Sequence, residues 1–164
     1  TLGRAALYSA ILEQSAARNP QSAIKESAIR NPQSAIESAV TGLRRSGYSY
    51  YLPLGLLTRA WLRALTGALT GPDSAQEDLD EAWDIASRGS MKLFLADIHL
   101  YRARLFGRMK DEGGMMNAAD KVIPYPWESP EHDLAKAERL IKECGYHRRD
   151  EELADAKRAI LGTS

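Results

Sequence analysis

The pattern Arg-Ala-x-Leu occurs three times in this chain, as Arg4-Ala5-Ala6-Leu7, Arg59-Ala60-Trp61-Leu62 and Arg102-Ala103-Arg104-Leu105. A second pattern follows each copy, in Ile36-Glu37-Ser38-Ala39, Leu79-Asp80-Glu81-Ala82 and Leu134-Ala135-Lys136-Ala137. Two of the first patterns are 43 residues apart, and so are two of the second patterns. Self-similarity at a fixed period is the signature of a repeat architecture, so we interpret the chain as a series of repeats.

Each repeat is predicted to form a hairpin of two helices. Small and apolar residues recur at steps of three and four in the third repeat, at Leu93, Ala96, Leu100, Ala103 and Gly107. Ser74 and Glu77 fit a capping box, and Ser129 precedes a proline at the first position of a helix. A glycine closes each unit and suits the left-handed conformation that ends many helices, at Gly47, Gly89 and Gly145.

The predicted fold class is therefore all-α, an α-solenoid of about three hairpins in a single domain, 1–164. The hairpin units span about 2–47, 52–89 and 91–145, and a capping helix spans 150–162. The first unit carries a tandem duplication, 15–26 and 27–38, of natural or engineered origin. Its prolines leave two alternatives open: a short extra helix between the hairpin arms, or one long helix kinked at Pro32.

Composition limits the classes of function. Lys and Arg total 22 and so do Asp and Glu, which gives no electrostatic reason to expect nucleic acid or a membrane as partner. The lone Cys144 forms no internal disulfide, and neither a transmembrane stretch nor a signal peptide is visible, so we expect a cytoplasmic protein. A start at Thr1 instead of Met suggests a fragment.

The hairpin pattern of Ala75, Leu79 and Ala82 resembles the second helix of a tetratricopeptide repeat. The stretches 125–130 and 144–153 are similar to the closing part of bacterial tetratricopeptide-like regions, which often sit at the C-terminal end of NACHT or NB-ARC signalling ATPases. The period of 43 departs from the standard repeat of about 34 residues. The resemblance implies a scaffold for protein interactions that has no catalytic activity of its own.

The candidate partner-binding residues lie on one stripe of the predicted first helix of the third repeat: Asp97, Tyr101, Arg104 and Arg108. Arginine and tyrosine suit the anchoring of a peptide, and the local excess of positive charge favours an acidic one. The alternative for this stripe is an ordinary solvated helix face. The repeated Arg59 and Arg102 are expected to form hydrogen bonds or ion pairs between hairpins.

Other conspicuous residues are predicted to be structural. Trp61 and Trp83 are interpreted as packing residues between hairpins, and Trp127 as a residue that pins its loop onto the last hairpin. The acidic cluster from Glu77 to Asp84 is interpreted as the exposed face of a helix. No catalytic motif, phosphate loop or set of zinc ligands is present, so neither a metal nor a cofactor is expected.

The sequence therefore predicts a scaffold, not an enzyme, that binds a protein or peptide along its first-helix surface. The alternative is a structural spacer or self-association module with no separate ligand. A basic groove would favour the first function, and concentration-dependent mass the second. A buried cluster of ionisable residues in a cleft would favour an enzyme instead.

Overall fold

The computed structural model describes residues 22–47, 49–107 and 124–162, with side chains from Pro32 onward. All regular structure in these ranges is helical, without a strand: α1 (Ser22–Ser46), α2 (Leu52–Leu65), α3 (Ala75–Arg88), α4 (Lys92–Phe106), α5 (Pro130–Cys144), the 3-10 turn His147–Arg149 and α6 (Asp150–Leu161). The all-α class is confirmed for the described part of the chain. The stacking of hairpins into a solenoid stays a prediction.

The chain divides into two compact units, Thr1–Ala82 and Trp83–Ser164, so the boundary between them lies inside α3. The prediction of one repeat domain is not tested by this division. Among the helices in the described ranges, none is long and apolar enough to cross a membrane.

The described part of the N-terminal unit is built on the packing of α1 against α2. α1 continues through Pro32, as in the single-helix alternative for the duplicated segment. Ile36 and Val40 of α1 are buried. A Cβ atom at Gly55 of α2 would lie 3.0 Å from Leu43 Cδ1, so glycine permits the two helices to approach closely. Residues 1–21, which include the first Arg-Ala-x-Leu copy, lie outside the described residues.

The C-terminal unit has a core to which α4, α5 and α6 all contribute. Small residues on α4 and α5 face larger aliphatic ones, and α6 adds Leu153 and Ala156 to the same cluster. A Cβ atom at Gly107 would lie 2.9 Å from Ile160 Cδ1 and 3.0 Å from Pro130 Cβ. The end of α4 therefore fits tightly against both later helices, and α6 is an integral part of this core.

The predicted helix ends are mostly confirmed. Ser129 accepts a hydrogen bond from the His132 amide at 3.0 Å, and Gly145 has the left-handed φ of 62° expected at a helix C-terminus. Gly47 also has a positive φ. The prediction for Gly89 is wrong, because Ser90 takes the left-handed conformation instead, with a φ of 52°. Gly89 serves close packing, since a Cβ there would lie 2.5 Å from Met91 Cε.

Candidate functional site

The predicted stripe of Asp97, Tyr101, Arg104 and Arg108, hereafter the α4 stripe, is largely buried where the structure describes it. Asp97 and Tyr101 are only 3% and 7% exposed, and the Arg104 side chain is mostly buried. Arg108 lies outside the described residues. The expectation of an open stripe is therefore wrong for these three residues, because the C-terminal segment of the same chain lies against them.

A network of charges joins the α4 stripe to this C-terminal segment. Arg149 donates from Nε to Asp97 at 2.7 Å, and the Tyr146 hydroxyl donates to the other Asp97 oxygen at 3.3 Å. Glu152 accepts from both Arg149 and Arg104, at 2.6 and 3.1 Å. Burial raises the pKa of Asp97 above its ordinary value, although Arg149 and Tyr146 act in the opposite direction. The stripe thus binds its own chain.

The C-terminal unit has a cleft that was not predicted from the sequence. Its volume is about 400 Å³, within the range of ordinary ligand sites. It lies between the C-terminal end of α3, the helices α4 and α5, and the loop before α5. The lining residues are Trp83, Ser87, Leu95, His99, Arg102, Trp127, Glu128, His132, Asp133, Lys136, Arg139 and Leu140. We refer to it as the tryptophan cleft.

Two indole rings and one guanidinium group dominate the tryptophan cleft. The Arg102 guanidinium carbon lies 4.4 Å from the centre of the Trp127 ring and 5.8 Å from that of Trp83. Trp127 also packs edge-on against Phe106, with ring centres 5.0 Å apart, so it pins its loop onto α4 as predicted. The prediction for Trp83 as a packed residue is wrong, because 41% of its surface is exposed.

A buried carboxylate organises the floor of the tryptophan cleft. Asp133 is buried and lies 2.5 Å from His99 Nδ1, while the Tyr125 hydroxyl donates a hydrogen bond to its other oxygen. Burial, reinforced by Asp133, raises the pKa of Tyr125, so the phenol keeps its proton. The cluster fixes the orientation of the His99 ring and holds the loop on α5.

The rim of the tryptophan cleft is cationic. Lys136 and Arg139 of α5 line it, and the Arg139 side chain is largely exposed, with Glu143 3.5 Å away. The two carboxylates of the lining already have partners in the cleft, since Asp133 binds His99 and Glu128 lies 2.6 Å from His132. The lining therefore presents more positive than negative charge to an incoming ligand.

The same repeat positions are built differently in the N-terminal unit. Arg59, which lies 43 residues before Arg102, donates to both oxygens of Asp78 and to Glu37. Arg63 Nη1 lies 3.1 Å from Oδ1 of Asp78. Asp78 and Asp133 correspond, because each is the fourth residue of its helix and follows a serine cap by four residues.

This geometry settles two expectations about the repeated positions. The expectation of an ion pair between hairpins is confirmed for Arg59 by Glu37, while its pair with Asp78 lies within one hairpin unit. Arg102 contacts two tryptophan rings. The interpretation of the acidic cluster as an exposed face is wrong for Asp78, which is only 1% exposed. A carboxylate at this position can be buried because it ties the two helices of a hairpin together.

The sequence contains one signal that could have indicated the tryptophan cleft, namely two positions at which the third repeat differs in residue type from the second. His99 stands where the middle repeat has Leu56, a fully buried aliphatic residue. Phe106 likewise stands in the place of Arg63. A polar residue at a core position, and an aromatic one at an ion-pair position, mark where the third repeat departs from the second. The positions of Trp127 and Tyr125 followed only from the path of the loop.

The tryptophan cleft is lined by histidine and acidic side chains, but they are not grouped as metal ligands. The part of the chain that the structure describes contains no group of three or more His, Cys, Asp or Glu side chains placed to hold a metal ion. The cleft offers aromatic faces for packing, cations for carboxylates or phosphates, and an oriented imidazole for a hydrogen bond.

No family model, curated protein or solved structure matches the chain. Any inference about function therefore depends on the repeat pattern and on the geometry of the tryptophan cleft.

Proposed function

We propose that the chain is a tetratricopeptide-like module for protein interactions, which binds a segment of a partner protein in the tryptophan cleft. The observation that carries this proposal is the exposed ring of Trp83 beside Arg102 and Trp127. A tryptophan side chain that stays exposed in a depression is typical of the residues that contribute most to binding energy.

The tryptophan cleft takes the place of the α4 stripe in this proposal. Asp97 and Arg104 are engaged by Arg149 and Glu152, so a partner there would have to displace the C-terminal segment. α6 contributes to the core of the unit, and its removal would expose apolar side chains. Binding in the tryptophan cleft needs no such rearrangement.

A scaffold also accounts for the buried ionisable cluster of His99, Asp133 and Tyr125. The corresponding Asp78 binds Arg59 and Arg63 in the preceding repeat, where no cleft residue is involved. An acidic residue at this position thus joins the two helices of a hairpin in both repeats, which favours a structural role over catalysis. A bacterial, cytoplasmic signalling context stays a prediction from the resemblance.

The proposal is tested by selection of peptides from a random display library on the immobilised chain. We expect a set of related sequences to be enriched on the unaltered chain and lost on Trp83→Ser. Leu93→Ser is the matched control, because Leu93 has similar exposure, 43%, and does not line the tryptophan cleft. This control should retain the enriched set.

Two results would contradict the proposal. One is the absence of any enriched sequence, and the other is the same enriched set on Trp83→Ser. Circular dichroism of each variant establishes that the helices are retained. A self-associating spacer, the alternative function, would give a mass that rises with concentration in sedimentation equilibrium and would enrich no peptide.

A further inference from the structure

The lining of the tryptophan cleft also contains information about the chemistry of its ligand. Its lining includes two indole rings, Leu95 and Leu140, and also Lys136 and Arg139 of α5. Apolar side chains beside cationic ones are suited to a ligand that combines one large apolar group with nearby negative charge.

The charges of the lining residues also favour a ligand that carries negative charge. Asp133 is buried and lies 2.5 Å from His99, whereas Glu128 is exposed and lies 2.6 Å from His132, so both carboxylates of the lining have a histidine partner. Lys136 and Arg139 are one helical turn apart on α5, and both line the cleft. Their spacing allows two successive acidic groups of an extended ligand to be contacted at once.

The exposure of the lining residues favours a chain segment as ligand. Trp83 is 41% exposed and the Arg139 side chain 61%, so the residues that would bind the ligand remain open to solvent. A side chain can pack against Trp83 while the flanking backbone lies beside Lys136 and Arg139. About 400 Å³ holds one large side chain together with part of its backbone.

We propose that the tryptophan cleft binds an acidic segment of a protein, in which a large apolar or aromatic residue is flanked by carboxylates. The apolar residue packs against the exposed Trp83, and the carboxylates pair with Lys136 and Arg139. This inference rests on the proposed function, since it specifies the partner that the same site accepts.

Fluorescently labelled peptides with acetylated and amidated ends test the inference by anisotropy. The first has a central phenylalanine flanked by acidic residues, the second replaces phenylalanine by glycine, and the third replaces the acidic residues by lysine. A fourth keeps the phenylalanine in neutral, polar surroundings. Blocked ends ensure that the side chains, not a terminal carboxylate, are measured.

We expect the acidic phenylalanine peptide to bind at least about tenfold more tightly than the other three, and to weaken as salt is raised. Lys136→Glu/Arg139→Glu should weaken that peptide by about tenfold or more. Lys142→Glu/Arg158→Glu should retain it. Lys142 and Arg158 are exposed residues outside the cleft, so this control changes the net charge by the same amount.

Other outcomes separate failure of the inference from failure of the proposed function. Equal binding of the neutral or basic phenylalanine peptide would overturn the acidic preference and leave a peptide-binding cleft in place. Equal binding of the glycine peptide would overturn the apolar anchor. If no peptide of the four binds but library selection succeeds, only this inference fails; if library selection also fails, both proposals fall.

Discussion

Arg59 in the N-terminal unit and Arg102 in the C-terminal unit stand 43 residues apart at the same position of consecutive repeats, yet their surroundings differ. Arg59 forms ion pairs with the buried Asp78 and with Glu37. Arg102 lies over the rings of Trp127 and Trp83 in a cleft. Arg59 thus joins the two helices of a hairpin, whereas Arg102 lines a cleft. The comparison shows that arginine at one position of the sequence pattern joins helices in one copy and lines a cleft in the other.

The substitutions around these arginines account for the difference. In the middle repeat, two guanidinium groups pair with Asp78. In the third repeat, His99 and the Tyr125 hydroxyl contact the corresponding Asp133. Phe106 in turn gives Trp127 a ring to pack against. The carboxylate therefore keeps its role in joining helices while its partners change.

Removal of the Asp78 carboxylate should have the largest effect on stability. Asp78→Ala leaves Arg59 and Arg63 without their buried counter-charge, and we expect a loss of about 3–5 kcal/mol in the free energy of unfolding. Urea unfolding followed by circular dichroism measures it. Asp84→Ala is the control, because Asp84 is exposed and its pair with Arg88 is worth at most about 1 kcal/mol. Equal losses for the two variants would refute a structural role for the Asp78 cluster.

The corresponding change in the third repeat should cost less. In Asp133→Asn the amide oxygen can still accept from either Tyr125 or His99, so we expect a loss of about 1–2 kcal/mol. Asp78→Asn, measured in the same urea titration, should cost more because charged guanidinium groups lose a carboxylate. A larger loss for Asp133→Asn would reverse the contrast between the two repeats.

Replacement of Arg102 by lysine tests the contact with the tryptophan rings. Arg102→Lys retains the charge but loses the planar guanidinium group, and we expect a cost of about 0.5–1 kcal/mol. The indole resonance of Trp127 should move in a ¹H–¹⁵N spectrum, because its ring is 4.4 Å from the guanidinium carbon. An unmoved Trp127 resonance would mean that the stacked geometry does not exist in solution.

The smallest predicted effect concerns Glu138, which joins α5 to Lys157 of α6. Hydrogen bonds from Lys157 and Lys142 hold the pKa of Glu138 below its ordinary value. A lowered pKa means that the carboxylate stabilises the fold above the ordinary pKa of about 4.3 and loses this contribution as the pH falls through the folded value. Glu138→Gln should cost at most about 0.5 kcal/mol at pH 7 and nothing near pH 3. A cost that is equal at both pH values would refute the ionic origin.

Local chemistry made much of the helical structure predictable. The serine cap at Ser129 and the glycine at Gly145 act within one turn of the chain, so their residue types suffice to identify helix ends. Gly89 misled because its neighbour Met91 packs against it, which is a contact that propensity does not describe.

The candidate site was less predictable because its contacts join residues far apart in sequence. Helical periodicity placed Asp97 and Arg104 on one face but gave no information about what covers that face. Arg149 and Glu152 reach them from about fifty residues further along the chain. The exposure of Trp83 and the burial of Asp78 were likewise decided by neighbouring helices.

The three tryptophans allow the central claim to be tested in one experiment. The chain contains Trp61 in α2, and Trp83 and Trp127 in the tryptophan cleft. The measurement is a ¹H–¹⁵N titration of the unaltered chain with the blocked acidic phenylalanine peptide, with the three indole resonances assigned by single substitution. We predict saturable shifts of the Trp83 and Trp127 resonances and no shift of Trp61. A shift of Trp61 alone, or no shift at saturating peptide, would contradict binding in the tryptophan cleft.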